Sequence, residues 1–573
     1  MKFQLLSITM AAFLTATALA LGSTRDQPES APPAKQQPGF TGCSPDRLAA
    51  AALISELDVP PIPGAGTYSW KAISSIDSAQ FYFDQGINTY YSFHIIESLA
   101  SFNKAIRFDT SNAMLYWAKA LAFGPNINDV TYATAPDAIE AIAKAVTLSA
   151  SLPATKKGLI SALSARYSSD TTISQSVLNR RYMEQMKLLY LRFPDDADIA
   201  TLYADALMLL HPWDLWFNTG KPKPWTPGIR EVLEKVLAHT PAHPGANHYY
   251  IHVMEASPFA GNATASADRL GKLTPGLAHT VHMPSHIYLR TGRYEDGIAA
   301  NESSLKSYQT LASLFPAVIA NDFLYSIHNR HMLVNNAMLA GQSRVSLAAA
   351  TELAGSIPTD YLSLPGAIGN VMQYIYMTPV LVRVRFGLWD QLLQTDKPDG
   401  NMLYAGVLYH WGRGMAFAKT AHLREATIEL DMIDSLMKDS SLLEPFTPFS
   451  PAIDGAVVAR SLLAGTILEK EGRLKEAITH FEIAVTTEKE MVYNEPRDWM
   501  LNPAHYLGSA YIADKQFGLA TKIFKDDLLN NRDNPWALAG LMQASKGDAS
   551  KEFAKKLKVA GRSADVVINR SVL

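Results

Sequence analysis

LLAGTILEKEGRLKEAITHFEIAV, Leu462 to Val485, carries Gly465, Ala477, Phe481 and Ala484 at relative positions 8, 20, 24 and 27 of a 34-residue unit. The unit recurs. Leu507, Gly508, Tyr511, Ala520 and Phe524 take positions 7, 8, 11, 20 and 24 further on, and Gly86, Phe102 and Ala105 take 8, 24 and 27 near the other end. Small residues at 8, 20 and 27 let two antiparallel helices approach closely, while aromatics at 11 and 24 fill the gap between neighbouring hairpins. Each hairpin of such an array buries its apolar face only against its neighbours.

These positions are those of the tetratricopeptide repeat, so the expected fold class is all-α, a tetratricopeptide-like α-hairpin superhelix or α-solenoid. From about residue 75 onward, Ala, Leu, Glu, Lys and Tyr recur at spacings of three and four, and Pro and Gly fall at breaks. A chain of 573 residues exceeds what one compact core usually holds, which an array accommodates. The expected organisation is a signal peptide over 1–20, a disordered or extended leader over 21–74, the repeat array with its concave groove over 75–560, and a tail over 561–573. MKFQLLSITMAAFLTATALA opens on Lys2, continues apolar and closes on Ala18-Leu19-Ala20, the small-x-small pattern of a secretory cleavage site. An exported protein, periplasmic or secreted after cleavage near Ala20, is expected.

No later apolar run reaches the roughly 18 residues needed to span a bilayer. Cys43 is the one cysteine, so no disulfide framework exists, and its FTGC setting lies too far past the apolar segment to read as an acylation box. A net charge of -3 gives no basic excess, and nucleic acid is not an expected partner.

The middle repeats are degenerate but hold the chemistry. HPGANHYYIHVMEAS, His243 to Ser257, is followed by AHTVHMPSHIYLRTGRYEDG, and the pair His282 and His286 lies 34 residues after the pair His248 and His252. With Ala263 at position 20, His248, His252 and Glu255 fall at 5, 9 and 12, and His282 and His286 at 5 and 9 again. A third unit, with Gly341 at 15, sets His328 at 2, His331 at 5 and Asn335 at 9. In repeats of this kind those positions face the groove, so three successive helices point six histidines the same way. Residues at i and i+4 share one helix face, and packed helices lie roughly 8–10 Å apart, so imidazoles from neighbouring helices can converge on one ion or an adjacent pair.

That reading predicts a site for one or two transition-metal ions on His248, His252, His282, His286, His328 and His331, with copper or iron favoured and zinc possible. Glu255, one turn beyond His252, is the candidate catalytic base or further ligand. Tyr249, Tyr288, Tyr325, Asn335, Trp213 and Asn126 are the candidate substrate-binding residues. The competing reading is a histidine- and tyrosine-rich groove that takes a small-molecule or peptide ligand without metal.

At these residues the chain resembles a large family of bacterial tetratricopeptide-repeat proteins, mostly of unassigned function, over roughly residues 80 to 545. The landmarks are FDQGINTYYSF (Phe83 to Phe93), NAMLYWAKALAFGPNIN (Asn112 to Asn128), HPGANHYYIHVMEAS, HMPSHIYLRTGRY, YSIHNRH (Tyr325 to His331), RFGLWD (Arg385 to Asp390) and YNEPRDW (Tyr493 to Trp499). The resemblance implies the fold and no particular reaction. This chain has Asn112 where the family usually has Cys, and Phe93 before His94 where it usually has Asn; both departures are expected to lie outside the histidine groove.

Other features read more plainly. GPNIND, Gly124 to Asp129, is a helix stop with an Asn cap that could alternatively project Asn126 and Asn128 into the groove. The aromatic, Pro-rich loop His211 to Pro227 reads as a lid or as packing of Trp213 and Trp216. Glu495 and Arg497 suggest a turn salt bridge, His410 a packed helix residue, and His94, His422 and His480 surface or capping positions. There is no HExxH, GxSxG, phosphate loop or CxxC, so any chemistry must come from the groove. The functions that fit are a metal-dependent enzyme, oxidoreductase ahead of zinc hydrolase, or a non-catalytic scaffold binding a peptide, protein or small ligand.

Overall fold

Glycine and phenylalanine at positions 8 and 24 do in space what their spacing asks. A Cβ at Gly86, Gly465 or Gly508 would collide with the ring of Phe102, Phe481 or Phe524 on the partner helix of the same hairpin. The pairs belong to Asp77–Tyr91 with Ile95–Phe108, Ala452–Lys470 with Leu474–Glu490, and Pro503–Ala513 with Phe517–Asn530. Phe524 is held from two sides, since a Cβ at Gly540 in Pro535–Ala544 would also strike it. One ring thus locks a hairpin and its neighbour together.

The computed structural model describes residues 47–54, 57–70, 73–129, 132–321, 323–445 and 449–573, and among them the architecture is all-α, a tetratricopeptide-like α-hairpin array, with one isolated bridge, Trp216 to Pro222, as the sole β pairing. The signal segment expected over 1–20 lies outside the described residues. Helix starts carry side-chain caps where the sequence offers Asx: Asn112, Asp196, Asn502 and Asn534 each accept from a backbone N–H of the first turn. Gly292 and Gly341, both placed at position 15, adopt φ of 77° and 75° and end their helices in the left-handed region that favours glycine.

Three helices carry the histidines. Pro244–Glu255 is followed by Ala278–His282, which runs through Met283 into Pro284–Thr291, and then by His328–Ala340. Pro284 begins the second piece at a position where its missing N–H costs little. Between them stand the outer helices Thr264–Leu273 and Tyr294–Leu314. Every residue of Pro244–Glu255 is buried, so its polar side chains face protein on all sides.

The apolar core gathers in two large clusters, one made of residues up to Tyr325 and the other from Ile327 onward. The last repeats return to the middle ones: Trp536 Nε1 donates to Met338 O at 3.0 Å, and the Tyr294 hydroxyl to Arg532 O at 2.9 Å. The described part of the 21–74 segment differs from a loose leader. Arg47–Ile54 is helical, Val59, Ile62 and Trp70 are buried, and Gly276 N donates to Gly64 O at 2.8 Å. The segment 561–573 is likewise tied down, with Asp565 N donating to Gly341 O at 3.1 Å and Asp565 Oδ1 accepting from Ser343 N at 2.6 Å. Both ends thus pack against middle repeats, the first at Gly276 and the last at Gly341 to Arg344 and Arg385.

Gly508→Val should destabilise the C-terminal hairpins by about 2–3 kcal/mol through overpacking against Phe524. Urea unfolding followed by Trp536 fluorescence checks this, and an unchanged midpoint would show that the ring does not lock the hairpins.

Candidate metal centre

Histidine placement follows from helix phase. His248 and His252 sit one turn apart on Pro244–Glu255, and the next helix brings His279 beside them rather than His282. His248 Nε2 lies 3.1 Å from His252 Nε2 and 3.1 Å from His279 Nε2. One turn on, His282 Nε2 and His286 Nε2 are 2.8 Å apart, and the His328 ring stands 4.7 Å from that of His282 and 5.5 Å from that of His286. The two triads are His248, His252, His279 and His282, His286, His328, all six side chains buried.

The backs of the rings are anchored. His248 Nδ1 donates to Tyr91 O at 2.6 Å, and His282 Nδ1 to Asn301 Oδ1 at 2.6 Å. Asn301 Oδ1 is the oxygen because its Nδ2 donates to Gly297 O at 2.8 Å. Glu255 takes one imidazole from each triad: Oε1 is 2.9 Å from His252 Nδ1, and Oε2 is 2.8 Å from His286 Nδ1. The Tyr493 hydroxyl donates to Oε2 at 3.1 Å. A neutral imidazole whose Nδ1 carries the proton presents a bare lone pair at Nε2. In each triad, therefore, two anchored rings aim lone pairs at one another across about 3 Å, a repulsive arrangement unless a cation lies between them or a ring takes a second proton. Three ligands about 2.0–2.1 Å from one ion stand roughly 2.9–3.5 Å apart; the 3.1 Å spacings of the first triad fall in that range, and the 2.8 Å between His282 and His286 just below it.

Electrostatics divides the rings in the same way. Burial and neighbouring imidazoles hold His248, His279, His282 and His328 well below the usual range. Burial also presses on His252, but the carboxylates of Glu255 and Glu495 outweigh it and raise His252 to about 9. The same balance raises His286. Glu255, which burial alone would push up, is held well below the carboxylate range by His286 and His252. Without a cation at the triads, protons on His252 and His286 relieve the facing lone pairs.

Phe93 and Glu495 complete the walls. The Phe93 ring lies 4.4 Å from His248, 5.6 Å from His279 and 5.8 Å from His252, centroid to centroid, on a backbone at φ 57°. It was expected outside the histidine groove and instead covers the first triad, in a conformation that Asn adopts more readily than Phe. His94, expected at the surface, is buried; its Nδ1 is 2.7 Å from Glu97 Oε1, and its Nε2 accepts from His279 N at 3.3 Å. Glu495 does not pair with Arg497, which binds Glu488. Its carboxylate faces His252 Nδ1 at 3.6 Å and His328 Nε2 at 3.7 Å.

Beside His328 and Glu495 opens a cavity of about 110 Å³, also lined by Asn128, Trp213, His331, Tyr374, Tyr404, Phe449, Asn494 and Asp498. Trp213, at φ 61°, stands edge-on to His252 at 5.7 Å and against Phe449 at 5.8 Å. Its loop is pinned across the array, Asn218 Nδ2 donating to Glu490 O at 3.0 Å. Burial raises Glu495 to about 7, with Glu255 adding to it, and raises Asp498 to about 7.

Of the expected ligands, His331 stands apart from both triads and lines the cavity, where burial pushes it down to about 3. Its place is taken by His279, which sits at position 2 of its unit as His328 does of the next; the phase argument followed positions 5 and 9 and passed over it. Glu255 is engaged at both oxygens, by His252 at one and by His286 and Tyr493 at the other, and is not among the residues lining the cavity. Among the expected substrate contacts, Trp213 lines the cavity. Asn126 serves the turn, its Oδ1 accepting from Asn128 N at 2.8 Å, and Asn128 faces the cavity instead. Tyr249 is packed 6.3 Å from Tyr91 and 5.9 Å from Phe93, Tyr288 donates to Asp268 Oδ1 at 2.8 Å, and Tyr325 stacks on His94 at 4.5 Å. Asn335 lines a separate cavity with Arg290 and Arg385.

No protein-family model and no curated protein sequence matches the chain. Solved structures similar to it include yeast Tom70 (12% identity, 78% of this chain and 92% of that one, TM-score 0.30). Another is the human IFIT1 dimer with m7Gppp-AAAA (10% identity, 91% and 94%, TM-score 0.30), and a third the APC/C hetero-tetramer Cut9-Hcn1 (12%, 83% and 76%, 0.29).

Glu255→Gln should lower the stability of the metal-free protein by about 3 kcal/mol or more, because it removes the buried acceptor shared by two rings. Calorimetry in the presence of chelator tests it, and an unchanged transition would mean the carboxylate does not hold the rings.

Proposed function

We propose that this chain is an exported metal-dependent enzyme whose two histidine triads each hold a transition-metal ion, and that it is an oxidoreductase. One observation carries the reading: His248 with His252, and His282 with His286, bring buried Nε2 atoms within 3.1 and 2.8 Å of each other, with His248, His252 and His282 hydrogen-bonded at Nδ1 and His286 Nδ1 2.8 Å from Glu255. Six imidazoles, with Glu255 and Glu495 beside them as the carboxylates, suit copper or iron. A pair of such ions supplies two one-electron couples beside a substrate cavity. The residues of this chain orient and cover: Tyr91, Asn301 and Glu255 hold the rings, Phe93 covers the first triad, and Trp213 lines the cavity beside the second.

Anchoring of ligand rings by carbonyl and carboxylate acceptors is what tuned metal sites require. A carboxylate spanning both triads also offsets the charge of two cations in a dry interior. The signal-like segment at 1–20 supports export. Against the scaffold alternative, the histidines are buried rather than spread along an open groove. A zinc hydrolase would need a base other than Glu255, and Glu495 is the carboxylate placed for it.

Full-length untagged protein purified with copper or iron should carry about two equivalents of metal. His279→Ala and His328→Ala should each lose about one, and His331→Ala none, with binding abolished by dialysis against a strong chelator. Elemental analysis reads this directly. A folded His248→Ala/His282→Ala variant that keeps its metal would sink the proposal.

A further inference from the structure

The cavity next to the second triad has an acidic lining. Three of its lining residues are carboxylates, Glu495, Asp498 and Glu444, and no lysine or arginine is among them. Asp498 Oδ2 is sealed from solvent and has no hydrogen-bond partner, while Glu495 Oε1, on a side chain 6% exposed, makes no hydrogen bond and stands 3.6 Å from His252 Nδ1 and 3.8 Å from His286 Nδ1. Unmet acceptors of this kind are rare in a folded interior and call for a donor from outside the chain. The Asp498 partner that does exist is neutral: Asn494 Nδ2 donates to Oδ1 at 2.8 Å.

Much of the remaining wall is aromatic and apolar, with Asn128, Asn370, Ser450 and Asn494 as its neutral polar members. Tyr374 and Tyr404 are stacked with centroids 6.0 Å apart and planes 17° from parallel, and Trp213, Phe449, Val371 and Ile375 surround them. Trp and Tyr faces attract a cation electrostatically and pack against an apolar body. A volume of about 110 Å³ at 10–15 Å³ per water-sized sphere holds a ligand of roughly eight to ten heavy atoms.

We propose that this cavity receives a small organic cation, a primary amine on an aromatic or aliphatic body, as the substrate. The ammonium group has three donors and no acceptor, the complement of the orphaned Asp498 Oδ2 and of the Glu495 and Glu444 carboxyl groups that line the same cavity. Glu495 and Asp498 are three residues apart in one segment, with Glu495 at the histidine end and the exposed Glu444 at the mouth. A carboxylate ligand would meet three acidic side chains and no basic one, and a neutral alcohol would bring a single donor. As a statement about binding the inference stands without a metal; as a substrate assignment it rests on the proposed metal centre.

Isothermal titration of the full-length protein, metal-free and copper-loaded, with phenethylamine, 2-phenylethanol and 3-phenylpropanoate tests it. Phenethylamine should bind about tenfold or more tighter than the alcohol in both forms, the carboxylate giving no measurable heat. Asp498→Asn should reduce the amine-to-alcohol preference to about twofold or less, and Glu444→Gln, at the exposed mouth, should reduce it by about twofold, each with an unchanged thermal transition as the control for folding. Equal affinity for amine and alcohol, or binding of the carboxylate, would overturn the inference. An amine preference in a chain that takes up no metal would leave the cation site standing and remove the oxidoreductase reading; metal uptake without amine preference would do the reverse.

Discussion

A single carboxylate holds the centre of this protein together. Glu255 ends a helix in which every residue is buried, and its two oxygens reach one imidazole on its own helix and one on the next. A charge taken this far from water is tolerable only when its acceptor capacity is used and opposite charge stands near. Here the Tyr493 hydroxyl and the His252 ring N–H use it, and His286 stands as an ion-pair partner 2.8 Å away. The same contacts set the tautomer of both rings, so the stability of the carboxylate and the direction of the Nε2 lone pairs are one problem with one solution.

The rest of the neighbourhood is arranged so that this solution is forced. Tyr91 O and Asn301 Oδ1 leave His248 and His282 no other tautomer, and Phe93 shields the first triad at some cost in backbone freedom. A protein with no use for the facing lone pairs could have relaxed any one of these. Ring packing of histidines as plain core residues would spread their Nε2 atoms toward different acceptors, whereas these converge in two groups of three.

The fold was legible because its signal is local and repeated. Gly465 with Phe481 and Gly508 with Phe524 each report a contact inside one hairpin, and a 16-residue spacing states it directly. The histidine pairs were legible for the same reason, since i and i+4 on one helix need no knowledge of a partner. What failed was the comparison between helices. Positions 5 and 9 of one helix stand level with position 2 of the next, so His279 and His328 enter the triads and His331 does not. A tertiary offset of about one turn between neighbouring helices is invisible to a repeat register. Glu495, Phe93 and Asn301 were hidden more deeply, because each arrives from a segment whose place depends on how the array closes.

That closure has a consequence for how the site is built. The groups that fix, cover and flank the histidines come from Tyr91 and Phe93 near the start, from Asn301 in the middle, and from Tyr493 and Glu495 near the end. In most repeat arrays each unit contacts only its neighbours, and stability is nearly a sum over them. Here the histidine helices form contacts over more than two hundred residues of sequence, as between Glu255 and Tyr493, 238 residues apart. The centre therefore belongs to the whole array rather than to the repeats that carry the ligands, and its polar groups find their partners only after both ends are in place. The array thus becomes a container, and it places an acidic, aromatic cavity against one wall of the histidines while Phe93 keeps the other dry.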